Sequence, residues 1–290
     1  MTKALFTGVC TALVTPFINN AINYPLLQRL IEAQIAAGIT AIVLGGTTGE
    51  SPVLSDMEKL ELFKKGKEFA GDRCLIIAGT GSNSTEHSVA LSRAAEKLGV
   101  DALLLVAPYY NKGNTESLYR HFATIANAVN IPIILYNVPS RTGIDVPISV
   151  YQRLSRIPNI AGVKEASNDI TKIAKIRNAC GEQFTIWSGN DDQIVPVISM
   201  GGKGVISVLS NLYPAQTQAM AAAALNGDFP TASKLQCSMM ELIGLLFSEV
   251  NPIPVKYAMK HIGFDCGSCR LPLGSPSNEL TEKIERYFKK

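Results

Sequence analysis

Residues 160–167 have the sequence I-A-G-V-K-E-A-S, a short apolar run that ends near a lysine. Ile160 and Val163 favour a β-strand and a helical pattern begins near residues 167–169, so we expect Lys164 where a buried strand stops. Burial makes an ammonium ion costly and favours the neutral amine, which can attack a ketone or aldehyde to form a Schiff base. Most lysines that end a strand are solvated, so this chemistry depends on the surrounding fold.

Similar apolar runs recur along the chain. They cover residues 8–14, 41–44, 75–78, 102–107, 133–136, 161–164, 184–187 and 204–207. Helical patterns lie between them, for example at residues 24–37 and 116–128, and Ser55 followed by Glu58 predicts a helix start. Strands that are apolar throughout are typical of a parallel sheet covered by helices. We therefore predict an α/β fold, a closed (β/α)8 TIM barrel.

The strand pattern stops after Asn211, and the turn-forming residues 226–230 separate the last barrel helix from a C-terminal segment. This segment has helical periodicity at residues 231–247, 254–261 and 277–288. We predict two units, a catalytic barrel at residues 1–225 and an appendage of three helices at residues 226–290.

Composition limits the classes of function. Hydrophobic residues make up 47% of the 290 residues and the formal net charge is only +3, which indicates a globular protein with small-molecule partners and no nucleic-acid partner. No apolar run is long enough to span a membrane. Thr7, Gly8 and Thr11 interrupt the apolar core of residues 1–17, so we interpret that segment as the first strand, not as a secretion signal. We expect a cytoplasmic protein.

The six cysteines do not predict a disulfide framework, because a chain of this length does not need one. Cys266 and Cys269 have C-x-x-C spacing, but no second pair that would complete a zinc site and no thioredoxin-like context accompanies them. His87, His121 and His261 are scattered through the sequence, and Asp191-Asp192 is favoured as a helix start. The sequence therefore predicts no metal site.

Active sites of (β/α)8 barrels lie at the carboxyl ends of the strands. There the second strand is followed by G-G-T-T-G-E at residues 45–50, whose glycines, hydroxyls and amides suit a carboxylate. Tyr136 ends the strand beside that of Lys164 and can relay protons, with Thr47 able to hold its hydroxyl. Arg141 offers a planar fork for a second carboxylate. Glu165 follows Lys164, so strand alternation turns it away from the barrel centre.

Together these residues resemble the 4-hydroxy-tetrahydrodipicolinate synthase family, within the N-acetylneuraminate lyase superfamily of class I aldolases. The resemblance runs from about residue 8 to residue 273. Its motifs are G-T-T-G-E at 46–50, P-Y-Y-N at 108–111, Y-N-V-P-S-R-T-G at 136–143, G-V-K-E-A at 162–166, G-V-I-S at 204–207 and N-P-I-P-V-K at 251–256.

The resemblance implies a reaction without a cofactor or metal. Lys164 forms a Schiff base with pyruvate, and the resulting enamine attacks L-aspartate 4-semialdehyde. Tyr136, Thr47 and Tyr110 form a proton relay, with Tyr110 contributed by a neighbouring subunit of a homotetramer, a dimer of dimers. The remaining implied substrate contacts are Thr48 and Thr47 at the pyruvate carboxylate, Arg141 at the carboxylate of the aldehyde, and the backbone around Gly189 and Ile206.

Many members of the family also carry a lysine feedback site at the dimer interface. The matching positions here are Ser51, Pro52, Asp56, Lys59, Gly81, Asn83, His87 and Tyr109. Lysine-sensitive bacterial members typically have histidine or another aromatic residue at the position of Asp56 and glutamate at that of His87. The loss of this glutamate and the presence of Lys59 disfavour a cationic ligand, so we predict weak or absent inhibition by lysine.

Two alternatives remain open from the sequence. A sister aldolase, such as N-acetylneuraminate lyase or a 2-keto-3-deoxy sugar acid aldolase, would share Lys164 and Tyr136, but such enzymes usually lack the arginine at the position of Arg141. A non-catalytic barrel that binds a metabolite would have no need of an imine-forming amine.

Overall fold

The computed structural model describes residues 4–289, so the first three residues of the predicted first strand lie outside the described part of the chain. In this part of the chain, eight parallel strands close into a barrel in which each strand pairs with the barrel strands before and after it in sequence and the last pairs with the first. These strands are β1 (Gly8–Ala12), β4 (Ala41–Leu44), β5 (Leu75–Gly79), β6 (Ala102–Val106), β7 (Ile133–Asn137), β8 (Ile160–Glu165), β9 (Thr185–Ser188) and β10 (Gly204–Ser207). The predicted (β/α)8 TIM barrel is confirmed.

Helices cover the outside of the barrel. They are α1 (Tyr24–Ala36), α2 (Asp56–Ala70), α3 (Thr85–Lys97), α4 (Thr115–Ala126), the short α5 (Pro139–Thr142), α6 (Ile148–Leu154), α7 (Ile170–Cys180), α8 (Ile194–Ser199) and α9 (Pro214–Leu225). Helix α2 begins with the predicted capping box, in which Ser55 accepts a hydrogen bond from the N–H of Glu58 and Glu58 accepts one from the N–H of Ser55.

Among the described residues, three further helices follow the barrel, as predicted. They are α10 (Phe229–Leu246), α11 (Ile253–Met259) and α12 (Asn278–Phe288). Helix α10 packs on α8 and α9, and α12 packs on α10 and α11. Over residues 4–289, none of the helices combines the length and the apolar character needed to cross a lipid bilayer.

The core consists of two sets of buried side chains, one between the sheet and the helices and one inside the barrel. The inner set includes Cys10, Val43, Ile134, Trp187 and Ile206. Side chains alternate between these two sets along each strand, and both environments are apolar, which explains why the strands are apolar throughout.

The structure corrects three details of the prediction. The first strand ends at Ala12, and the following residues lead into a hairpin of β2 (Phe17–Ile18) and β3 (Ala21–Ile22) that we had not predicted. Several strands begin or end one residue away from the predicted bounds. The predicted helix at residues 254–261 ends at Met259 and continues as a 3-10 turn.

Candidate active site

Lys164 is the penultimate residue of β8 and lies at the carboxyl end of the barrel, where we expected it. Its side chain is 4% exposed and lines a cavity of about 320 Å³. Strand β7 pairs with β8 so that Tyr136 and Lys164 are register partners, and Lys164 Nζ lies 4.3 Å from the centroid of the Tyr136 ring. The amine and the phenol therefore share one wall of the cavity.

The cavity is formed by loops that follow the barrel strands and by helix α10. Its lining includes Thr47, Thr48, Tyr136, Arg141, Lys164, Gly189, Asn190, Asp191, Met240, Ile243, Phe247 and Asn251. The barrel supplies the titratable and hydroxyl groups, whereas α10 supplies an apolar wall. Such a site can enclose a small polar substrate and exclude water from part of it.

Thr47 and Thr48 lie in the loop after β4. Within residues 4–289, their backbone N–H groups donate no hydrogen bond to a protein acceptor. The Thr48 hydroxyl accepts a hydrogen bond of 3.0 Å from Asn251 Nδ2. Thr47 and Tyr136 line the same cavity, and in the described part of the chain no hydrogen bond joins their side chains. Two amide donors are thus available to an anionic ligand.

Arg141 lies on the short helix α5, which begins two residues after β7 ends. Its side chain is exposed and lines the cavity, and Arg141 Nη2 donates a hydrogen bond of 3.1 Å to the backbone oxygen of Asn251. One edge of the guanidinium is thereby fixed while the side chain faces the mouth of the cavity. This arrangement suits a carboxylate that enters from solvent.

Gly189 and Ile206 differ in their distance from the cavity. Gly189 lines it, and a Cβ at this position would lie 2.6 Å from Cβ of Ala166, so only glycine fits there. Ile206 is fully buried among the side chains inside the barrel and is not one of the lining residues. The structure therefore brings Gly189 to the candidate site and leaves the Ile206 side chain beneath it.

Tyr110 does not reach the cavity of its own chain. It lies in the loop after β6, its side chain is 90% exposed, and its φ angle of 69° is in the left-handed region. Residues with side chains rarely adopt this backbone conformation. A large aromatic side chain with this exposure is a candidate contact for another subunit.

Sequence reasoning missed Asp191 and Asn251 as cavity residues. Asp191 is buried, and its Oδ2 accepts hydrogen bonds of 2.9 Å from the N–H groups of Val208 and Leu209. Burial raises the pKa of Asp191, against these hydrogen bonds and the charge of Lys164, which lower it. Asp191 Oδ1 and Asn251 Oδ1 are buried atoms without a hydrogen-bond partner in residues 4–289. From the sequence, Asp191 is interpreted as a helix start in preference to a metal ligand, and Asn251 as part of a motif.

Glu165 points away from the cavity, as strand alternation predicts. It accepts hydrogen bonds from Asn137 Nδ2 at 2.8 Å and from the Tyr151 hydroxyl at 3.1 Å, and Lys172 Nζ lies 3.8 Å away. Burial raises the pKa of Glu165, and the charge of Lys172 opposes this shift. The network fixes the residue that follows Lys164 without contacting a substrate.

A second cavity, of about 540 Å³, adjoins the first and shares Thr47, Tyr136 and Arg141 with it. All the positions of the predicted feedback site line it, namely Ser51, Pro52, Asp56, Lys59, Gly81, Asn83, His87 and Tyr109. His87 Nε2 lies 2.8 Å from Asp56 Oδ2. Burial lowers the pKa of Lys59, and the charge of Asp56 opposes this shift. The cavity therefore contains a lysine of its own and a carboxylate that already has a partner.

The cysteines are all free thiols. Cys266 and Cys269 are buried, and burial raises the pKa of each thiol to about 12. Within residues 4–289, no three histidine, cysteine or acidic side chains are grouped closely enough to hold a metal ion.

The chain is similar to known proteins along almost its whole length. The sequence model of the dihydrodipicolinate synthetase family matches residues 5–290. A 4-hydroxy-tetrahydrodipicolinate synthase of Acetivibrio thermocellus is 46% identical over 283 residues, which cover 98% of this chain and 95% of that protein. The crystal structure of dihydrodipicolinate synthase from Aquifex aeolicus has a TM-score of 0.96 at 40% identity and covers 98% of this chain and 97% of that chain. A structure of the Cyanidioschyzon merolae enzyme with lysine bound has a TM-score of 0.95 at 38% identity, with coverage of 98% and 97%.

Proposed function

The chain belongs to the dihydrodipicolinate synthetase family, and from this membership we propose that its reaction proceeds through a Schiff base on Lys164. The protein is a lyase that condenses pyruvate with L-aspartate 4-semialdehyde to give 4-hydroxy-tetrahydrodipicolinate, a step in diaminopimelate and lysine biosynthesis. The observation that carries the assignment of the nucleophile is the buried amine of Lys164, 4.3 Å from the Tyr136 ring in a cavity of about 320 Å³.

The chemistry follows from the properties of an amine. The nitrogen of Lys164 attacks the ketone carbon of pyruvate, and loss of water leaves a protonated imine. The imine nitrogen accepts electrons when the pyruvate methyl group loses a proton, which gives an enamine. The enamine carbon then forms the new carbon–carbon bond with the aldehyde carbon of the semialdehyde. The amino group of the bound semialdehyde, or a water molecule, then attacks the imine carbon, so that the bond from this carbon to Lys164 Nζ breaks, the product leaves and the amine is regenerated.

Each of these steps moves a proton, and we assign the transfer to Tyr136. Its hydroxyl belongs to the side chain that packs against the Lys164 amine, so one group can act on both carbinolamine and imine. Thr47 and Tyr110 complete the relay in this proposal. Because Thr47 and Tyr136 line one cavity without a hydrogen bond between their side chains in residues 4–289, we propose that the chain of hydrogen bonds forms only when Tyr110 enters from a partner subunit.

The two substrates each carry a carboxylate. We assign the pyruvate carboxylate to the backbone N–H groups of Thr47 and Thr48, because these amides have no acceptor in the described part of the chain. We assign the carboxylate of the semialdehyde to Arg141, whose guanidinium lies at the mouth of the cavity. Gly189 gives the pocket the space that a side chain would fill, and Ile206 supports it from below.

We propose that the assembly is a homotetramer built from two tight dimers. The exposed Tyr110 supports this proposal, since the site of a lone chain lacks one member of the relay. We also propose that the enzyme works in the cytoplasm, where free thiols such as those of this chain persist.

We propose that L-lysine inhibits this enzyme weakly or not at all. A lysine ligand would meet the ammonium group of Lys59, and the carboxylate of Asp56 is already paired with His87. Inhibition of the purified enzyme by micromolar L-lysine would contradict this proposal.

The alternative of a sister aldolase for sugar acids is not favoured, because the relatives are synthases and Arg141 is present at the cavity mouth. A non-catalytic barrel is disfavoured by the same relatives and by the buried amine.

The experiment that tests the proposal is reduction with borohydride in the presence of pyruvate, followed by peptide mass spectrometry. We expect one pyruvate adduct, on the peptide that contains Lys164. The Lys164→Ala variant should fold and lose the adduct, whereas Lys175→Ala, which changes an exposed lysine on α7, should keep it. An adduct on another lysine, or one that persists in Lys164→Ala, would overturn the assignment.

A further inference from the structure

Glu50 and Lys256 form an ion pair between the barrel mouth and the C-terminal helices. Lys256 Nζ lies 2.8 Å from Glu50 Oε1, and the two side chains are 2% and 0% exposed. Neither residue lines the active-site cavity. Two buried charges are expensive to desolvate, so a buried ion pair is by itself weak evidence for a contribution to stability. The role of this pair depends on the segments of the chain that it holds in place.

Lys256 has an acceptor for each hydrogen of its ammonium group. Besides Glu50, it donates to the backbone oxygen of Thr15 at 3.1 Å and to that of Ser268 at 3.3 Å. The nitrogen also lies 4.4 Å from the centroid of the Phe17 ring. The ammonium group is thus held from several directions.

Both carboxylate oxygens of Glu50 also have hydrogen-bond donors. Its second oxygen, Oε2, accepts a hydrogen bond of 2.8 Å from the backbone N–H of Arg270. Its φ angle of 59° is in the left-handed region, a conformation that residues with side chains rarely adopt and that the surroundings must maintain. Its own N–H donates to the backbone oxygen of Thr47 at 3.1 Å and closes the turn from Thr47 to Glu50. The side-chain contacts of Glu50 therefore set the geometry of that turn.

Side chains from other parts of the fold also form hydrogen bonds with Thr48 and Gly49 of this turn. Thr15 Oγ1 donates to the backbone oxygen of Gly49 at 2.7 Å, and Asn251 Nδ2 donates to the Thr48 hydroxyl at 3.0 Å. Lys256 binds the backbone of Thr15, so the same ammonium group supports the turn at both Gly49 and Glu50. Within residues 4–289, the N–H groups of Thr47 and Thr48 have no hydrogen-bond acceptor, whereas these contacts hold the backbone around them.

We propose that Glu50 and Lys256 are positioning residues for the pyruvate carboxylate. The ion pair preorganises the turn that carries the amides of Thr47 and Thr48, so that binding pyruvate does not require the loop to become ordered. This inference rests on the proposed function. It predicts that breaking the pair weakens recognition of the carboxylate and leaves the reactivity of the Lys164 amine largely unchanged.

The test compares two ketones in the borohydride trapping experiment. Pyruvate carries the carboxylate, and methyl pyruvate presents the same ketone without that charge. For Lys256→Met, we expect the pyruvate concentration that gives half-maximal trapping to rise by roughly tenfold or more, because Glu50 is left as an unpaired buried charge. The corresponding concentration of methyl pyruvate should change by less than about threefold.

Two further variants sharpen the experiment. Lys256→Met/Glu50→Gln removes both charges and should bind pyruvate better than Lys256→Met, because no unpaired charge remains buried. Lys67→Met is the matched control, since it breaks the ion pair with Asp101 at the opposite end of the barrel and should leave both ketones unaffected.

Unchanged trapping of pyruvate by Lys256→Met, or an equal loss with both ketones, would overturn the proposal, because a purely structural role affects the two alike. If Lys256→Met does not fold, Glu50→Gln is judged by the same comparison. Failure of wild-type protein to trap pyruvate on Lys164 would instead refute the proposed function, so the two failures are distinguishable.

Discussion

Tyr110 provides a test of whether each active site is shared between two chains. The perturbation is a mixture of two defective variants, Tyr110→Phe and Lys164→Ala. Tyr110→Phe removes only a hydroxyl from a side chain that is 90% exposed, so the fold should be unaffected. Loss of a proton-transfer group should lower kcat by about a hundredfold or more, and loss of the amine should abolish activity.

The expected recovery follows from counting sites. Random association of equal amounts of the two chains gives mixed dimers for about half of the population. In a mixed dimer, the chain that retains Lys164 receives Tyr110 from its partner, so one of the two sites is complete. The mixture should therefore recover roughly a quarter of wild-type activity. If Tyr110 acted within its own chain, every site would lack one group and nothing would be recovered.

The assay is the rate of condensation after the two chains have been dissociated and reassembled together. The matched control mixes Lys164→Ala with Tyr136→Phe. Tyr136 and Lys164 line the cavity of the same chain, so this mixture cannot produce a complete site. Activity of the Tyr110→Phe mixture that does not exceed the sum of the separate variants would refute the shared site.

Three further predictions concern stability and reactivity. Burial lowers the pKa of His121 to about 4 from an ordinary value of 6.5. Between these two pH values the unfolded chain binds a proton that the folded chain does not. The free energy of unfolding should therefore fall by up to about 3 kcal/mol as the pH decreases from 6.5 to 4. Urea denaturation at the two ends of this range should show a smaller decrease for His121→Gln. Gly162→Ala should destabilise the barrel by about 3 kcal/mol or more, measured as a lower Tm, because the added Cβ would lie 1.9 Å from the backbone oxygen of Thr185. A thiol reagent added to native protein should label the exposed Cys237 first, and peptide mapping should find the buried C-x-x-C thiols modified only after unfolding.

The barrel could be predicted because its strands are buried on both faces. A continuous apolar run is then required of each strand, and the runs at residues 41–44 and 204–207 match the observed strands residue for residue. The β2–β3 hairpin was missed because each of its strands has only two residues. The sequence does contain a signal for the turn, the pair Asn19-Asn20, because asparagine is among the residues that tolerate positive φ angles. In the structure, the φ angles of these two residues are 49° and 63°, as in a tight turn.

The candidate site was predictable where a residue's role follows from its position on a strand. Lys164 and Tyr136 end adjacent parallel strands, and the pairing of β7 with β8 brings them together. Asp191 and Asn251 were missed for a different reason. Asn251 reaches Thr48 across 203 positions of sequence, and no local periodicity or spacing predicts a contact of that separation. Buried polar atoms of this kind become visible only when their partners are known.

The contacts of the C-terminal segment bear on how the chain is divided. We predicted a barrel at residues 1–225 and an appendage at residues 226–290, and α10, α11 and α12 do follow the barrel in sequence. The catalytic unit, however, crosses this boundary. Asn251 holds Thr48, Lys256 holds Glu50, and α10 forms the apolar wall of the cavity. A barrel without these residues would keep its amine but would leave Glu50 as an unpaired charge and open the cavity to water. We therefore propose that the appendage is a structural part of the active site, and that residues from both units build this site although the units are consecutive and separate in sequence.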